Sequence, residues 1–186
     1  VFDNKGDKII LKGMGLGGWL VPEGYMLGTW GSPTSIRNRI TDLIGEDSTE
    51  AFYEKFEKNY VAEEDINQLA EWGFNSVRLP FHYKTLSPAY GSFNEKGFSV
   101  IDSVIAWCSR NEIYLILDMH VAPGSQSGDE NADGDEGAKL WDSPENQEWA
   151  VDIWGEIARR YATERWIGGY DLCLLYTSPS PRDEKV

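Results

Sequence analysis

Two histidines, an arginine and an aspartate stand where they could meet around a neutral, hydroxyl-rich ligand. Arg78 sits at the carboxyl end of the apolar run Phe74-Asn75-Ser76-Val77-Arg78-Leu79, and His82 lies just past it. Asp118 and His120 stand at the carboxyl end of a second run, Tyr114-Leu115-Ile116-Leu117-Asp118-Met119. A guanidinium is always charged and forks onto a carboxylate. An imidazole can hydrogen-bond a hydroxyl through either ring nitrogen. Two histidines without a third ligand at suitable spacing do not make a zinc site, so no metal and no cofactor are expected. Glu23 can accept hydrogen bonds from a ligand, although surface glutamates are common. Trp19 and Trp30 are candidate stacking platforms, with core packing the expected fate of Trp19.

Two further motifs carry less. Gly13, Gly15 and Gly18 match G-x-G-x-x-G, but Pro22, Gly24 and Gly28 interrupt what should be a following helix, so a dinucleotide site is not expected. Asp129-Glu130-Asn131-Ala132-Asp133-Gly134-Asp135 copies the first half of a calcium loop. Its twelfth position is Leu140, where a bidentate glutamate is needed, so the segment reads as a solvated acidic loop beside a cleft.

The elements that must position these groups follow from periodicity. Residues 1–12 read as a hairpin, with Asn4, Gly6 and Asp7 in its turn. Ser35 can cap a helix bearing Ile36, Ile40, Leu43 and Ile44 and ending at Gly45. Thr49 can cap another, bearing Phe52 and Phe56. Glu63, Glu64 and Asp65 suit the first turn of a third, with Ile66, Leu69 and Ala70 as its stripe and Gly73 at its end. The strand at 74–79 is expected to stop at Pro80. Ile101, Val104, Ile105 and Cys108 mark a helix, and the apolar run at 114–119 marks a strand buried on both faces. Ser143-Pro144 opens a long helix with the stripe Ala150, Ile153, Trp154, Ile157, Ala158 and Tyr161, and a strand begins at Gly168. Strands alternating with helices predict parallel βαβ units. Polar groups at the carboxyl ends of successive strands favour a barrel over a doubly wound sheet.

Composition excludes some partners. Lys and Arg total 17 against 31 Asp and Glu, a formal charge of -14. Nucleic acid and anionic membranes call for cationic patches, so neither is expected as a partner. No apolar run is long enough to span a bilayer. Cys108 falls on an apolar helix face and Cys173 lies near the end, so no disulfide is expected. The chain starts at Val1 and shows no signal peptide; an upstream segment is expected.

Five segments in order resemble glycoside hydrolase family five, the cellulase family, in its glucanase-like branch. They are Gly17-Gly18-Trp19-Leu20-Val21-Pro22-Glu23, Phe74 through Pro80, Leu117-Asp118-Met119-His120, Ala122-Pro123-Gly124-Ser125-Gln126 and Gly169-Tyr170-Asp171-Leu172. The resemblance covers residues 1–172. It implies an α/β fold, the N-terminal half of a (β/α)8 TIM barrel, and retaining hydrolysis of glycosidic bonds by two glutamates. The acid would come from an Asn-Glu-Pro motif ending strand four and the nucleophile from strand seven. Neither is present in this sequence. Arg78 matches the arginine beneath the nucleophile, His120 the histidine touching the sugar that is cleaved, and Glu23 an acidic residue that bonds sugar hydroxyls. His82 is expected to line the same pocket, and Trp30 to offer a sugar-stacking face.

The segment beginning Cys173-Leu174-Leu175-Tyr176-Thr177-Ser178-Pro179 resembles a translated sequencing-library adapter. Residues 173–186 are therefore expected to be a non-native tail, and the barrel to be cut within strand four. The intact parent is expected to be a monomeric, extracellular or periplasmic hydrolase of a β-glucan or related polysaccharide. A barrel that binds sugar without cleaving it is the alternative, decided by the two absent glutamates. The chain alone is expected to be inactive.

Overall fold

A computed structural model describes residues 8–173. Most of the expected hairpin at 1–12 and nearly all of the expected tail at 173–186 lie outside that range. The elements run β1 (Gly13–Gly15), α1 (Gly24–Leu27), α2 (Pro33–Ile44), α3 (Glu46–Tyr60), α4 (Glu63–Glu71), β2 (Ser76–His82), α5 (Tyr83–Leu86), α6 (Glu95–Arg110), β3 (Tyr114–Val121), a 3-10 turn at Glu130–Ala132, α7 (Pro144–Arg160) and β4 (Ile167–Asp171). All strand pairs are parallel, in the order β1-β2-β3-β4. A doubly wound sheet reverses its order at a switch point; this sheet steps in one direction, as a barrel wall does.

Alternation divides each strand between two environments. Val77, Leu79 and Phe81 of β2 and Leu115, Leu117 and Met119 of β3 are fully buried. They join one core with Ile66 and Leu69 of α4, Phe98, Ile101, Val104 and Cys108 of α6, and Ile153 and Ile157 of α7. The residues between them, Arg78 on β2 and Asp118 and His120 on β3, share the opposite face. On β4, Asp171 pairs with Asp118 and so shares that face too. Every loop that follows a strand emerges at the same carboxyl end.

Five expectations change. The cap of α2 is Ser32, whose hydroxyl accepts the Ser35 N–H at 3.1 Å; Ser35 lies inside the first turn, and Pro33 at the helix start fixes the earlier boundary. Leu43 and Ile44 are exposed, leaving Ile36 as the buried apolar anchor of that stripe. Helix α3 starts at Glu46, and Thr49 is buried within it, its hydroxyl bonded to the Gly45 carbonyl at 2.9 Å. On α7, Ala158 is exposed while Ile153 and Ile157 carry the contact. Strand β2 continues through Pro80 to His82. The Arg78 carbonyl accepts from Leu16 and the His82 N–H donates to Leu20, so Pro80 faces the same side, between those two bonds, and interrupts neither.

Gly97 holds α6 against the chain that leaves β2. A Cβ there would lie 1.8 Å from the Thr85 carbonyl oxygen. Gly97→Ala would gain about 1 kcal/mol of helix propensity. Overpacking against backbone costs about 1–3 kcal/mol or more. The expected net result is a lower melting temperature in thermal denaturation; an unchanged or higher one would refute the close approach.

Candidate active site

The inward face carries a charged cluster built by three neighbouring strands. Arg78 Nη2 lies 2.8 Å from Asp118 Oδ2 and 3.1 Å from Asp171 Oδ2. The same Asp118 Oδ2 lies 2.8 Å from His120 Nδ1. Asp118 is completely buried, whereas the Arg78 side chain keeps a third of its surface open. A buried carboxylate needs such partners, because desolvating an unpaired charge costs several kcal/mol. Asp118 Oδ1 has no hydrogen-bond partner among the described residues.

The carboxylate also fixes the neighbouring ring. A carboxylate paired with arginine only accepts, so His120 Nδ1 carries the proton it donates. In the neutral ring Nε2 is then an acceptor, suited to a ligand hydroxyl. The backbone beyond is pinned by Gln126, whose side-chain amide donates to the His120 carbonyl at 2.7 Å and accepts from Ala122 N–H at 3.1 Å. That pair of bonds explains why the segment Ala122 through Gln126 follows the histidine so closely.

His82 is committed to the protein. Its Nδ1 accepts the Lys84 N–H at 3.1 Å, and its Nε2 lies 3.1 Å from Asp133 Oδ2. His82 lines a hollow with Trp19, Leu20 and Thr34, and both of its ring nitrogens help to hold the protein, one of them the loop that carries Asp133. The reading of residues 129–135 as a solvated acidic loop is corrected for the same reason. Asp133 also accepts the Thr34 N–H at 2.9 Å and the Thr34 hydroxyl at 2.6 Å. Asp135 accepts from the Ser32 hydroxyl at 2.6 Å, and Glu130 from the Gly31 N–H at 3.0 Å. The acidic residues thus cap the start of α2, where unpaired N–H groups and the macrodipole favour anions. Asp133 adopts a left-handed backbone, which aspartate tolerates.

Titration of this latch has a definite sign. Burial pushes His82 below its ordinary value, against the pull of Asp133. Burial would raise Asp133, but the hydrogen bonds from His82 and Thr34 prevail and hold it well below the usual carboxylate range. An opened loop lets His82 take up a proton that the latched state resists. The latch is therefore fully stable above about pH 6.5 and weakens as pH falls below it. Asp133's contribution is lost only at still lower pH, through its depressed range. Hydrogen exchange of the 129–135 amides, corrected for intrinsic rate, should show less protection at pH 5 than at pH 7; equal protection would count against the latch.

Glu23 precedes α1 and is partly buried. It lines a recess with Tyr25, Thr29, Trp30, Glu130 and Asn131. Trp30 is 71% exposed, with the Arg39 guanidinium 4.6 Å from its ring centroid. Trp19 is core, its indole N–H bonded to the Glu57 carbonyl at 2.8 Å. Arg78 and His120 thus converge through Asp118, Glu23 and Trp30 share a separate recess, and His82 stands apart in the latch. Asp118 stands out in the sequence beside His120, whereas Asp171 and Asp133 are functional candidates that the sequence does not single out as site residues. The signal for Asp118 is its charge at the end of an otherwise apolar strand; Asp133 lies in a run of acidic residues that does not distinguish it.

A family model for cellulase (glycosyl hydrolase family 5) matches residues 38–173. A β-xylosidase of Phanerodontia chrysosporium is 34% identical over 96% of this chain and 38% of its own length. Endoglucanase C of Acetivibrio thermocellus is 38% identical over 68% of this chain and 37% of its own. The crystal structure of a rutinosidase from Aspergillus niger superposes with a TM-score of 0.65, at 15% identity, over 82% of this chain and 44% of that one. The chain thus spans under two-fifths of the length of these curated relatives. Its parallel four-stranded sheet is part of a TIM barrel, and the chain belongs to glycosyl hydrolase family 5, the cellulase family.

Proposed function

We propose that this chain forms the N-terminal wall of the catalytic barrel of a retaining O-glycosyl hydrolase acting on a β-glucan or related polysaccharide. The observation that carries the reading is the inward-facing Arg78–Asp118–His120 cluster, together with the family. In a retaining enzyme two carboxyl groups stand about 5–5.5 Å apart across the scissile bond, one as acid and then base, the other as nucleophile. The continuation of β4 would supply the acid, and a later strand the nucleophile. Arg78 would hold the nucleophile ionised and oriented. His120 Nε2 would accept a hydroxyl of the sugar being cleaved. Glu23 would bond sugar hydroxyls and Trp30 would stack on a sugar ring. His82 would serve the site through the latch. The substrate is a neutral polysaccharide or oligosaccharide, met outside the cell by a monomeric enzyme whose acidity keeps it soluble.

The test is made on the full-length gene product. It should release sugar from soluble β-glucan or xylan, and NMR of the first product should show the β-anomer. Sugar binding without hydrolysis would favour a non-catalytic barrel, and inversion would exclude the retaining mechanism. The 186-residue chain assayed alone should hydrolyse nothing, because its described residues form four of the eight strands a barrel needs.

A further inference from the structure

We propose that Gln126 is a positioning residue for His120: its buried side-chain amide holds a β-bulge at that histidine, and the bulge aims the imidazole at Asp118. The consequence for hydrolysis rests on the glycosidase reading; the positioning itself does not.

The bulge lies in the pairing of β2 with β3. Pro80 pairs with Asp118 and Phe81 with Met119, but His82 pairs with Val121. His120 is therefore the extra residue, opposite no residue of β2. Unbroken pairing would set it beside His82. A bulge leaves its extra residue out of the ladder, bends the strand and re-aims the side chain. The ladder does not fix the direction of such a residue, so other contacts must.

Two contacts do so. At the ring end, Asp118 Oδ2 lies 2.8 Å from His120 Nδ1. At the backbone end, the Gln126 amide nitrogen donates to the His120 carbonyl at 2.7 Å, and its amide oxygen accepts the Ala122 N–H at 3.1 Å. One planar amide thus sets the spacing of residues 120 and 122 across the bulge. Gln126 is 5% exposed, so water competes poorly for either bond.

Backbone strain brings the amide there. The chain reverses through Ala122-Pro123-Gly124-Ser125, with the Ser125 N–H on the Ala122 carbonyl at 3.0 Å and Gly124 in the left-handed region. Ser125 follows in the same region, at φ 62°, although it carries a Cβ. Strain of this kind persists only where the surroundings over-determine it. The Ser125 carbonyl accepts the Leu140 N–H at 3.0 Å, and the Gln126 carbonyl accepts the Trp141 indole N–H at 2.8 Å. Gln147, near the start of α7, donates to the Leu140 and Trp141 carbonyls at 3.0 and 2.9 Å. Helix α7 thus braces the turn, and the turn braces His120.

The experiment compares the full-length gene product with Gln126→Met and Trp141→Phe, each checked for folding by thermal melting. Methionine fills a similar volume and removes both side-chain bonds. Phenylalanine keeps a ring and removes only the bond to the Gln126 carbonyl. The readouts are kcat and KM on soluble β-glucan or xylan, and the nitrogen NMR resonances of the His120 ring, which report its tautomer independently of activity. In the wild type Nδ1 should carry the proton. Gln126→Met should move the ring resonances toward mixed tautomers and lower kcat by about 10- to 100-fold with a smaller change in KM, as a misplacement of about 1 Å can do. Trp141→Phe should move both in the same direction by less. A folded Gln126→Met variant whose His120 resonances match the wild type overturns the proposal, whatever its kcat. Shifted resonances with unchanged kcat uphold the positioning and overturn the part of His120 in the reaction. A full-length wild type that hydrolyses nothing overturns the glycosidase reading, and the resonances still decide the positioning. If Gln126→Met does not fold, Trp141→Phe decides on the same resonances.

Discussion

Asp118→Ala is expected to lower kcat of the full-length enzyme by about 100-fold, equivalent to about 2.7 kcal/mol of barrier, with a smaller change in KM. Asp118 Oδ2 receives both the Arg78 and the His120 bonds, so one side chain fixes the direction of a cation and the tautomer of an imidazole. Removing it lets the ring rotate and present either nitrogen to the sugar. It also leaves Arg78 with Asp171 as its remaining carboxylate among the described residues. Asp118→Asn should be milder. Its carbonyl oxygen can take the place of Oδ2 and keep both bonds, while its amide occupies the position of Oδ1, which has no partner to lose among the described residues. Charge is then lost and geometry kept. The expected order of kcat is wild type, Asp118→Asn, Asp118→Ala. Equal activity in the two variants would show that charge alone matters. Wild-type activity in Asp118→Ala would remove Asp118 from the site. A fall confined to KM would mean that it serves uniform binding and does not position the reacting sugar.

The architecture could be read from the sequence because burial on the outer face of each strand is written as apolar periodicity. Val77, Leu79, Leu115 and Leu117 pack against helices whose own stripes were visible, and Ser143-Pro144 gives a cap with local chemistry. Local signals failed where a long-range partner decides. Ser35 and Thr49 look like caps, but Pro33 and Gly45 set the boundaries. Pro80 looks like a strand breaker, but its missing donor falls between two bonds to the neighbouring chain and interrupts neither. The acidic loop looks solvated because composition does not show that Thr34, 99 residues away, takes up its central carboxylate. The site was half legible for the same reason. Arg78 and His120 stand out by type and position, whereas the link between them is a single buried oxygen of Asp118.

Arg78→Met should abolish detectable hydrolysis and also destabilise the fold, and the second effect can be separated from the first. Without Arg78, the fully buried Asp118 loses its cationic partner. Breaking a buried pair from one side costs about 3–5 kcal/mol, and the lower end applies here because a third of the Arg78 side chain is open to solvent. Replacing both members by apolar residues of similar volume is often neutral in stability. The double variant Arg78→Met, Asp118→Leu should therefore melt close to the wild type in a thermal scan, above Arg78→Met alone. It should remain inactive, since nothing is left to orient the nucleophile or to hold the His120 ring. Recovery of stability together with activity would reduce the pair to a packing device. Recovery of stability alone separates what Arg78 does for the fold from what it does for the reaction. A double variant as unstable as the single one would show that the cost lies elsewhere, in the Asp171 carboxylate that Arg78 also neutralises.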